Sequence, residues 1–228
     1  MIGRLALAAA AASLLVLAGC APGDGPRRIR DRDIERAVPS RIVAAELAFA
    51  RAAQEQGQWT AFAEFATDEA VMFVPRPVNA RDWLKQQADP AQAVRWQPHQ
   101  VWSSCDGSLG MTRGAWQRPD GSVGYFTTAW QRQRNGEYRW TMDQGDQLAQ
   151  PLVAPEGIEA KVADCVTEPS PPAAPSLVGA GSVHQGTAKD GTLYWQVVAE
   201  TGGARRVSAQ YWDGSAWQQA IAEQVAAE

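Results

Sequence analysis

The chain of 228 residues carries 21 basic and 25 acidic side chains, a net charge of −4 that offers nucleic acid no attractive surface. An apolar fraction of 45% and ten tryptophans suffice for one sizeable hydrophobic core with a smaller one beside it. The composition therefore excludes a disordered chain outside its linkers.

An apolar run, interrupted by Ser13 alone, follows Arg4 over residues 5–16 and leads to Leu17-Ala18-Gly19-Cys20. The run is shorter than the roughly 20 residues that a transmembrane helix needs. These four residues resemble the lipobox that bacterial signal peptidase cleaves before a Cys. The resemblance implies a signal peptide over 1–19, palmitate and a lipid anchor on Cys20, and a tether over 20–39. A plain secretory peptide is the alternative.

Alanine after the lipobox Cys favours, by the rule of that family, the outer membrane, with the protein body facing the periplasm. Loss of the signal peptide removes one Arg and no acidic residue, so 20 basic and 25 acidic side chains leave a mature charge of −5. The membrane partner is then the lipid anchor, and no nucleic acid partner is expected.

Two cysteines remain beyond the anchor, Cys105 and Cys165. An oxidising envelope compartment makes an even pair of this kind a disulfide, with two separately buried thiols as the alternative. Only His99 and His184 could join them in a metal site, and neither has the spacing of a ligand. We therefore expect no metal and no cofactor.

The first elements have helical periodicity. Ser40 is placed as an N-cap, apolar residues recur at helical intervals from Ile42 to Ala50, and Gly57 can end the helix. A short helix over 59–65, a strand over 70–74 and a third helix over 80–87 are predicted to follow.

Extended patterns begin after Pro90, with strands predicted over 94–104, 109–117, 123–133 and 138–147. Asp120-Gly121 and Asn135-Gly136 are dipeptides that two-residue type I′ hairpin turns prefer. These strands are predicted to form an antiparallel meander.

A Pro/Ala-rich linker is predicted over 151–176, with a helical turn near 158–165. Strands over 192–199, 204–212 and 216–221 then predict a small β-meander within 177–228. About 50 residues of sheet rarely fold alone, so this tail is expected to dock on the main domain or to extend its sheet.

The order of helix, short helix, strand, helix and long meander over 40–150 resembles the nuclear transport factor 2-like fold, an α+β cone also called cystatin-like, in which a curved antiparallel sheet wraps N-terminal helices. Short sequence segments that resemble those of the SnoaL-like members are residues 44–50, 61–62, 68–73, 110–116, 128–132, 138–140 and 143–145. The resemblance implies a pocket at the open end of the cone and leaves the function open, since the fold carries enzymes and binding domains alike.

Two-residue turns in both hairpins would place Arg113, Thr128 and Asp143 in one row on one face, with Trp130 and Phe126 in the flanking rows. These five residues are the candidate pocket. Arg113 would hold an anion or orient Asp143, and Asp143 is the candidate general base. The alternative is a structural salt bridge, and a β-bulge would shift the row.

The resemblance implies that an isomerase would need a buried acid pair and a tyrosine donor, whereas this register puts Tyr125 on the face opposite to Asp143. The leading hypothesis is therefore a non-catalytic cone that binds a small apolar or weakly acidic molecule or a partner protein. The alternatives are an isomerase, lyase or hydrolase that uses Asp143 and Arg113, and an assembly factor that dimerises through the outer face of the sheet.

Overall fold

The computed structural model describes residues 36–170, 172 and 180–227. Predictions for the signal peptide, Cys20 and most of the tether fall outside these residues. The helices are α1 Pro39–Gln56, α2 Gln58–Phe65 and α3 Ala80–Leu84. The strands are β1 Ala66–Phe73, β2 Pro77–Asn79, β3 Arg95–Ser103, β4 Leu109–Gln117, β5 Val123–Arg132, β6 Tyr138–Leu148, β7 Glu159–Val162, β8 Ala180–Thr187, β9 Leu193–Glu200, β10 Arg205–Trp212 and β11 Trp217–Val225.

Helix α1 begins two residues before the predicted start. Val38 is the N-cap, with no side-chain hydrogen bond, so the capping role predicted for Ser40 is wrong. Pro39 opens the helix instead, because the first turn does not need the N–H that proline lacks. The helix ends at Gly57, whose φ of +114° suits a glycine.

Strands β1 to β7 form a seven-stranded sheet in the order β2-β1-β6-β5-β4-β3-β7. The strands β3 to β6 are the predicted antiparallel meander, and the mixed α+β class is confirmed. Helix α1 packs on the inner face of this sheet through a stripe of buried residues spaced four, three and four apart, Ile42, Glu46, Phe49 and Ala53.

The segment 151–176 is not a plain linker. Residues Glu159–Val162 add strand β7 to the edge of the sheet, parallel to β3, where a helical turn was predicted. Strand β7 could not be predicted from a hairpin turn, because a strand that pairs in parallel with β3 must be far from it in sequence.

The C-terminal region is a second sheet of four antiparallel strands in the order β11-β10-β9-β8. Three of these strands correspond to predicted ones, and β8 was missed. Its sequence contains Gly181 and Gly186 among polar residues, so it has little β-propensity of its own and forms as an edge strand paired with β9.

The second sheet covers the outer face of the first. One core lies between the two sheets and includes Trp102, Met111 and Met142 on one side and Leu193 and Val197 on the other. The other core lies between the helices and the inner face. The seven-stranded sheet is thus buried on both faces along much of β3 to β6.

Two turns fasten the sheets to each other at one end. The amide of Cys105 donates to Thr192 Oγ1 (2.9 Å), and the amide of Asp106 donates to Asp190 Oδ2 (2.7 Å). A disulfide joins Cys105 to Cys165, as predicted, across 60 residues of sequence. The bond ties the segment after β7 to the turn between β3 and β4.

Candidate functional site

The hairpin between β4 and β5 turns through three residues, not two. The Arg118 amide donates to Ser122 O (2.9 Å), the Gly121 amide donates to Arg118 O (3.0 Å), and φ of Gly121 is +88°. Every described non-glycine residue has negative φ, so Asp120 cannot occupy a type I′ turn. The extra residue moves the pairing by one position and places Arg113 opposite Thr127.

The second hairpin has the same kind of turn. The Gln133 amide donates to Glu137 O (2.7 Å), and Gly136 takes the position with positive φ, +87°. The type I′ prediction is therefore wrong here as well. Near this turn, the pairing of β5 with β6 is shifted by one residue from the predicted register.

A β-bulge in β6 then restores the predicted register. Trp130 lies opposite Trp140, but Ala129 lies opposite Met142, so Thr141 is the extra residue. Beyond the bulge, the one-residue shift from the β5–β6 turn and the one-residue shift from the bulge cancel.

The predicted pair of Thr128 and Asp143 is consequently present, on the inner face of the sheet. The Thr128 hydroxyl donates to Asp143 Oδ2 at 2.7 Å. Arg113 lies on the outer face, so its predicted place beside Asp143 in the pocket is wrong.

A cavity of about 470 Å³ opens at the wide end of the cone. Its wall carries aromatic side chains from the helices and the sheet, including Phe49, Trp59, Phe62, Trp96, Trp116 and Phe126. Asp143 lines the same cavity, together with Gln144 from the same strand. Apolar walls with a few polar groups are typical of sites for small molecules.

The carboxyl group of Asp143 titrates near neutrality. Burial raises its pKa from 3.8 to about 7, and the negative charge of Glu46 acts in the same direction. The hydrogen bond from Thr128 and the positive charge of Arg205 lower the pKa of Asp143. The group is therefore able to exchange a proton at physiological pH.

Glu46 is a second buried acid that the sequence analysis missed. Its carboxyl group accepts hydrogen bonds from Trp96 Nε1 (2.7 Å), Thr112 Oγ1 (2.6 Å) and Trp130 Nε1 (3.0 Å). Burial raises the pKa of Glu46, and these three hydrogen bonds lower it. Its spacing from Ile42 and Phe49 on helix α1 was the available signal.

Four residues of the predicted pocket divide between the cavity wall and the core. Phe126 and Asp143 line the cavity. Thr128 is fully buried behind Asp143, and Trp130 is fully buried beside Glu46. Trp130 therefore holds the second acid, and its indole does not face the cavity.

Arg205, on β10 of the second sheet, supplies the buried cation of the cavity wall. Its Nε donates to Gln144 Oε1 (3.1 Å), and its Nη2 donates to Gly145 O. The guanidinium also lies over the ring of Phe73, 5.3 Å from the ring centre. The side chain is 4% exposed.

Arg113 instead joins the two sheets. Its Nε contacts Glu223 Oε1 on β11 at 2.7 Å, and Thr127 and Gln144 donate to the same carboxylate. The predicted structural salt bridge thus exists with a different acid. Tyr125 lies on this outer face, as predicted, with its ring 5.2 Å from the Arg113 guanidinium carbon.

The described residues contain no group of three or more His, Cys, Asp and Glu side chains arranged to hold a metal ion. His99 lies at a bulge in β3, and His184 packs edge-on against Phe73. Burial lowers the pKa of both histidines. Within the described part of the chain, no helix combines the length and apolar character of a membrane span.

The sequence matches no protein-family model and no curated protein. Among solved structures, it is similar to a candidate ketosteroid isomerase of Parabacteroides distasonis at 12% identity and a TM-score of 0.40, with 52% of this chain and 94% of that chain covered.

Two proteins of unknown function are also similar. A cystatin-like protein of Methylobium petroleophilum is 8% identical, with a TM-score of 0.38 over 54% of this chain and 86% of that chain. A nuclear transport factor 2-like protein of Mesorhizobium loti is 13% identical, with a TM-score of 0.31 over 49% and 93%. The order and pairing of the elements confirm the predicted α+β arrangement of N-terminal helices on a long antiparallel meander.

Proposed function

We propose that this protein binds a small, largely apolar molecule in the cavity at the open end of the cone. The observation that carries the proposal is a cavity of about 470 Å³ that is lined by aromatic rings and has the carboxyl group of Asp143 in its wall. Sites that bury most of a small molecule have this size and character.

Binding without catalysis is supported better than the enzymes named as alternatives. Arg113, which those enzymes would use with Asp143, is engaged with Glu223 between the two sheets. The phenol of Tyr125 is on the same outer face and does not reach the inner one. Tyr138 belongs to the inner core, but its hydroxyl donates to Gly107 O (2.6 Å) and does not line the cavity. Among the described residues, the cavity wall therefore has the acid Asp143 but not the tyrosine donor that the resemblance implies for an isomerase.

Blocking the cavity mouth tests this proposal. Ala226 is exposed and lies in the cavity wall, whereas the neighbouring Ala227 is exposed outside it. We expect Ala226→Trp to abolish binding of the neutral dye phenylnaphthylamine, measured by equilibrium dialysis, and Ala227→Trp to leave it unchanged. Equal binding by both variants, or no binding by the wild type, would overturn the proposal.

An acid–base enzyme is the second candidate, because the pKa of Asp143 is about 7 in a cavity of substrate size. Native mass spectrometry of protein from its own host identifies any co-purified molecule, and incubation with fresh protein reports its conversion. Asp143→Asn in a pure binder leaves the molecule unconverted and bound as in wild type. In an enzyme it removes a conversion that wild type performs, by roughly a hundredfold or more.

We also propose that the mature protein is a lipoprotein of the bacterial envelope, anchored through Cys20 in the outer membrane and facing the periplasm. The lipobox-like sequence and the short apolar run before Cys20 support this proposal. The disulfide supports it as well, because disulfides form in an oxidising compartment. Radiolabelled palmitate should label the wild type and not Cys20→Ser. Label on both, or on neither, would contradict the anchor.

A homodimer through the outer face of the sheet is disfavoured as a partner arrangement. The second sheet covers that face with Leu193, Val197 and Ile221. Light scattering of the mature protein tests this directly, because a dimer through that face requires the second sheet to be displaced.

A further inference from the structure

The cavity is built by both sheets, not by the cone alone. Arg205, Val225 and Ala226 from the C-terminal sheet line it together with residues of the first sheet. Arg205 reaches the cavity because β1 ends at Phe73 while β6 continues to Leu148, which leaves the β1 side of β6 open beyond the pair of Met72 and Asp143. The C-terminal sheet fills this opening.

The charged groups of the cavity wall differ in their depth. Arg118 is exposed, and its guanidinium lies 4.6 Å from the ring centre of Trp116 at the rim. Asp146 is half-buried on the far part of β6. Arg205 is 4% exposed, and Asp143 is half-buried on the inner face. The cavity wall therefore offers one buried guanidinium, that of Arg205, and one carboxyl group on the inner face, that of Asp143.

We propose that the cavity takes an amphipathic carboxylic acid whose apolar body lies among the aromatic rings and whose carboxylate lies beside Arg205 and accepts a hydrogen bond from protonated Asp143. This inference rests on the proposed binding function and narrows its ligand. The positive charge of Arg205 favours burial of an anion beside it, while its Nε, Nη1 and Nη2 keep their donations to Gln144, Pro75 and Gly145, so the hydrogen bond to the ligand comes from Asp143.

A bound carboxylate and an ionised Asp143 would repel each other, so the two groups share one proton taken from solvent. The groups that face Asp143 are Glu46 from α1, which opposes its ionisation, and Arg205 from β10, which favours it. Above pH 7 the free Asp143 is mostly ionised, and acid binding takes up a proton. Affinity for the acid should then fall by about tenfold for each pH unit above about 7.

The test compares acids with matched neutral compounds. Naphthaleneacetic acid, biphenylacetic acid and abietic acid, each with its primary amide, are titrated into the full mature protein by calorimetry at about pH 6 and about pH 8. We expect at least one acid to bind about tenfold tighter than its amide at the lower pH and to lose about tenfold at the higher pH. Titration in two buffers of different ionisation enthalpy should report proton uptake.

Three variants separate recognition from folding. Asp143→Asn should bind the acid without pH dependence, because its amide donates as the protonated acid does. Arg205→Met should lose the preference for acid over amide, whereas Arg206→Met, one residue along the strand and paired with Glu200, should keep it. Asp143→Asn keeps the inference testable if Arg205→Met does not fold.

The outcomes distinguish the two proposals. Amides that bind as tightly as their acids, or acid binding that keeps its pH dependence in Asp143→Asn, would overturn the inference and leave the cavity as a site for neutral molecules. Failure of acids, amides and phenylnaphthylamine alike to bind the wild type would overturn both.

Discussion

The two faces of the seven-stranded sheet bury acidic side chains in different ways. On the outer face, Glu223 is bound by the guanidinium of Arg113, with Thr127 and Gln144 as further donors. On the inner face, Glu46 accepts its hydrogen bonds from two indoles and a hydroxyl, all of them neutral. Both carboxyl groups have raised pKa values, and burial is the main cause for each.

The outer face holds the second sheet in place, whereas the inner face carries a side chain whose charge can change with pH or with a bound molecule. The outer face is filled by a second sheet, and its acid bridges the two layers as half of an ion pair. The inner face keeps a cavity, and its acids titrate in an aromatic surrounding where Asp143 changes charge near neutrality. A site that binds or reacts is expected on the second kind of face.

The largest effect should come from the core between the sheets. Leu193→Ala should lower the free energy of unfolding by about 3–5 kcal/mol, because this side chain is fully buried there. Ile42→Ala in the inner core should cost a similar amount, and both variants should unfold in urea in one transition. Val183→Ala, on an exposed position of β8, is the control. A separate early transition in Leu193→Ala alone would show that the outer layer is not part of the cooperative unit.

A smaller effect on the free energy of unfolding is expected at Asp143 on the inner face, and it should depend on pH. The pKa of Asp143 is about 7 in the folded protein and near 3.8 when unfolded, so its contribution to stability is complete below about pH 4 and is lost as pH rises through about 7. Asp143→Asn should remove this slope and raise stability at pH 8 by up to about 3 kcal/mol. Urea unfolding at a series of pH values measures it. An unchanged slope would mean that Asp143 ionises normally in the folded state.

The smallest effects compare the two glutamates directly. Glu223→Gln should cost about 2 kcal/mol, because it leaves the Arg113 guanidinium without its carboxylate partner. Glu46→Gln should cost about 1 kcal/mol, since only neutral donors lose an acceptor. Glu64→Gln, exposed on α2, is the control. Equal costs, or a reversed order at pH 7, would contradict the division between an acid bound by a cation on the outer face and an acid bound by neutral donors on the inner face.

The helices and the meander could be predicted because their signals are local. Apolar spacing marks α1, and the Asp-Gly and Asn-Gly dipeptides mark the hairpins. The number of residues in each turn is not encoded as clearly, and one residue decides which face a side chain occupies. This is why Arg113 was placed on the wrong face while Asp143 was placed on the right one, where a turn and a bulge compensated.

The remaining site residues differ in why they were missed. Glu46 lies at helical spacing from Ile42 and Phe49, so its burial was readable from the sequence. Arg205 is about 60 residues from its partner Gln144, and its contact with the cavity depends on how the second sheet docks. Sequence patterns define that sheet but not the surface on which it lies, because docking rests on contacts between distant segments.

The bulge at Thr141 makes one point of β6 tolerant of a change in chain length. Trp140 belongs to the inner core and Met142 to the outer core although they are two residues apart, since Thr141 is accommodated without a partner of its own. A related chain that lacked this residue would run as a regular strand and still present Trp140 and Asp143 inward. An alignment that forbids gaps inside strands would pair Asp143 of this chain with a neighbour of its true counterpart, and the shared acid would be overlooked.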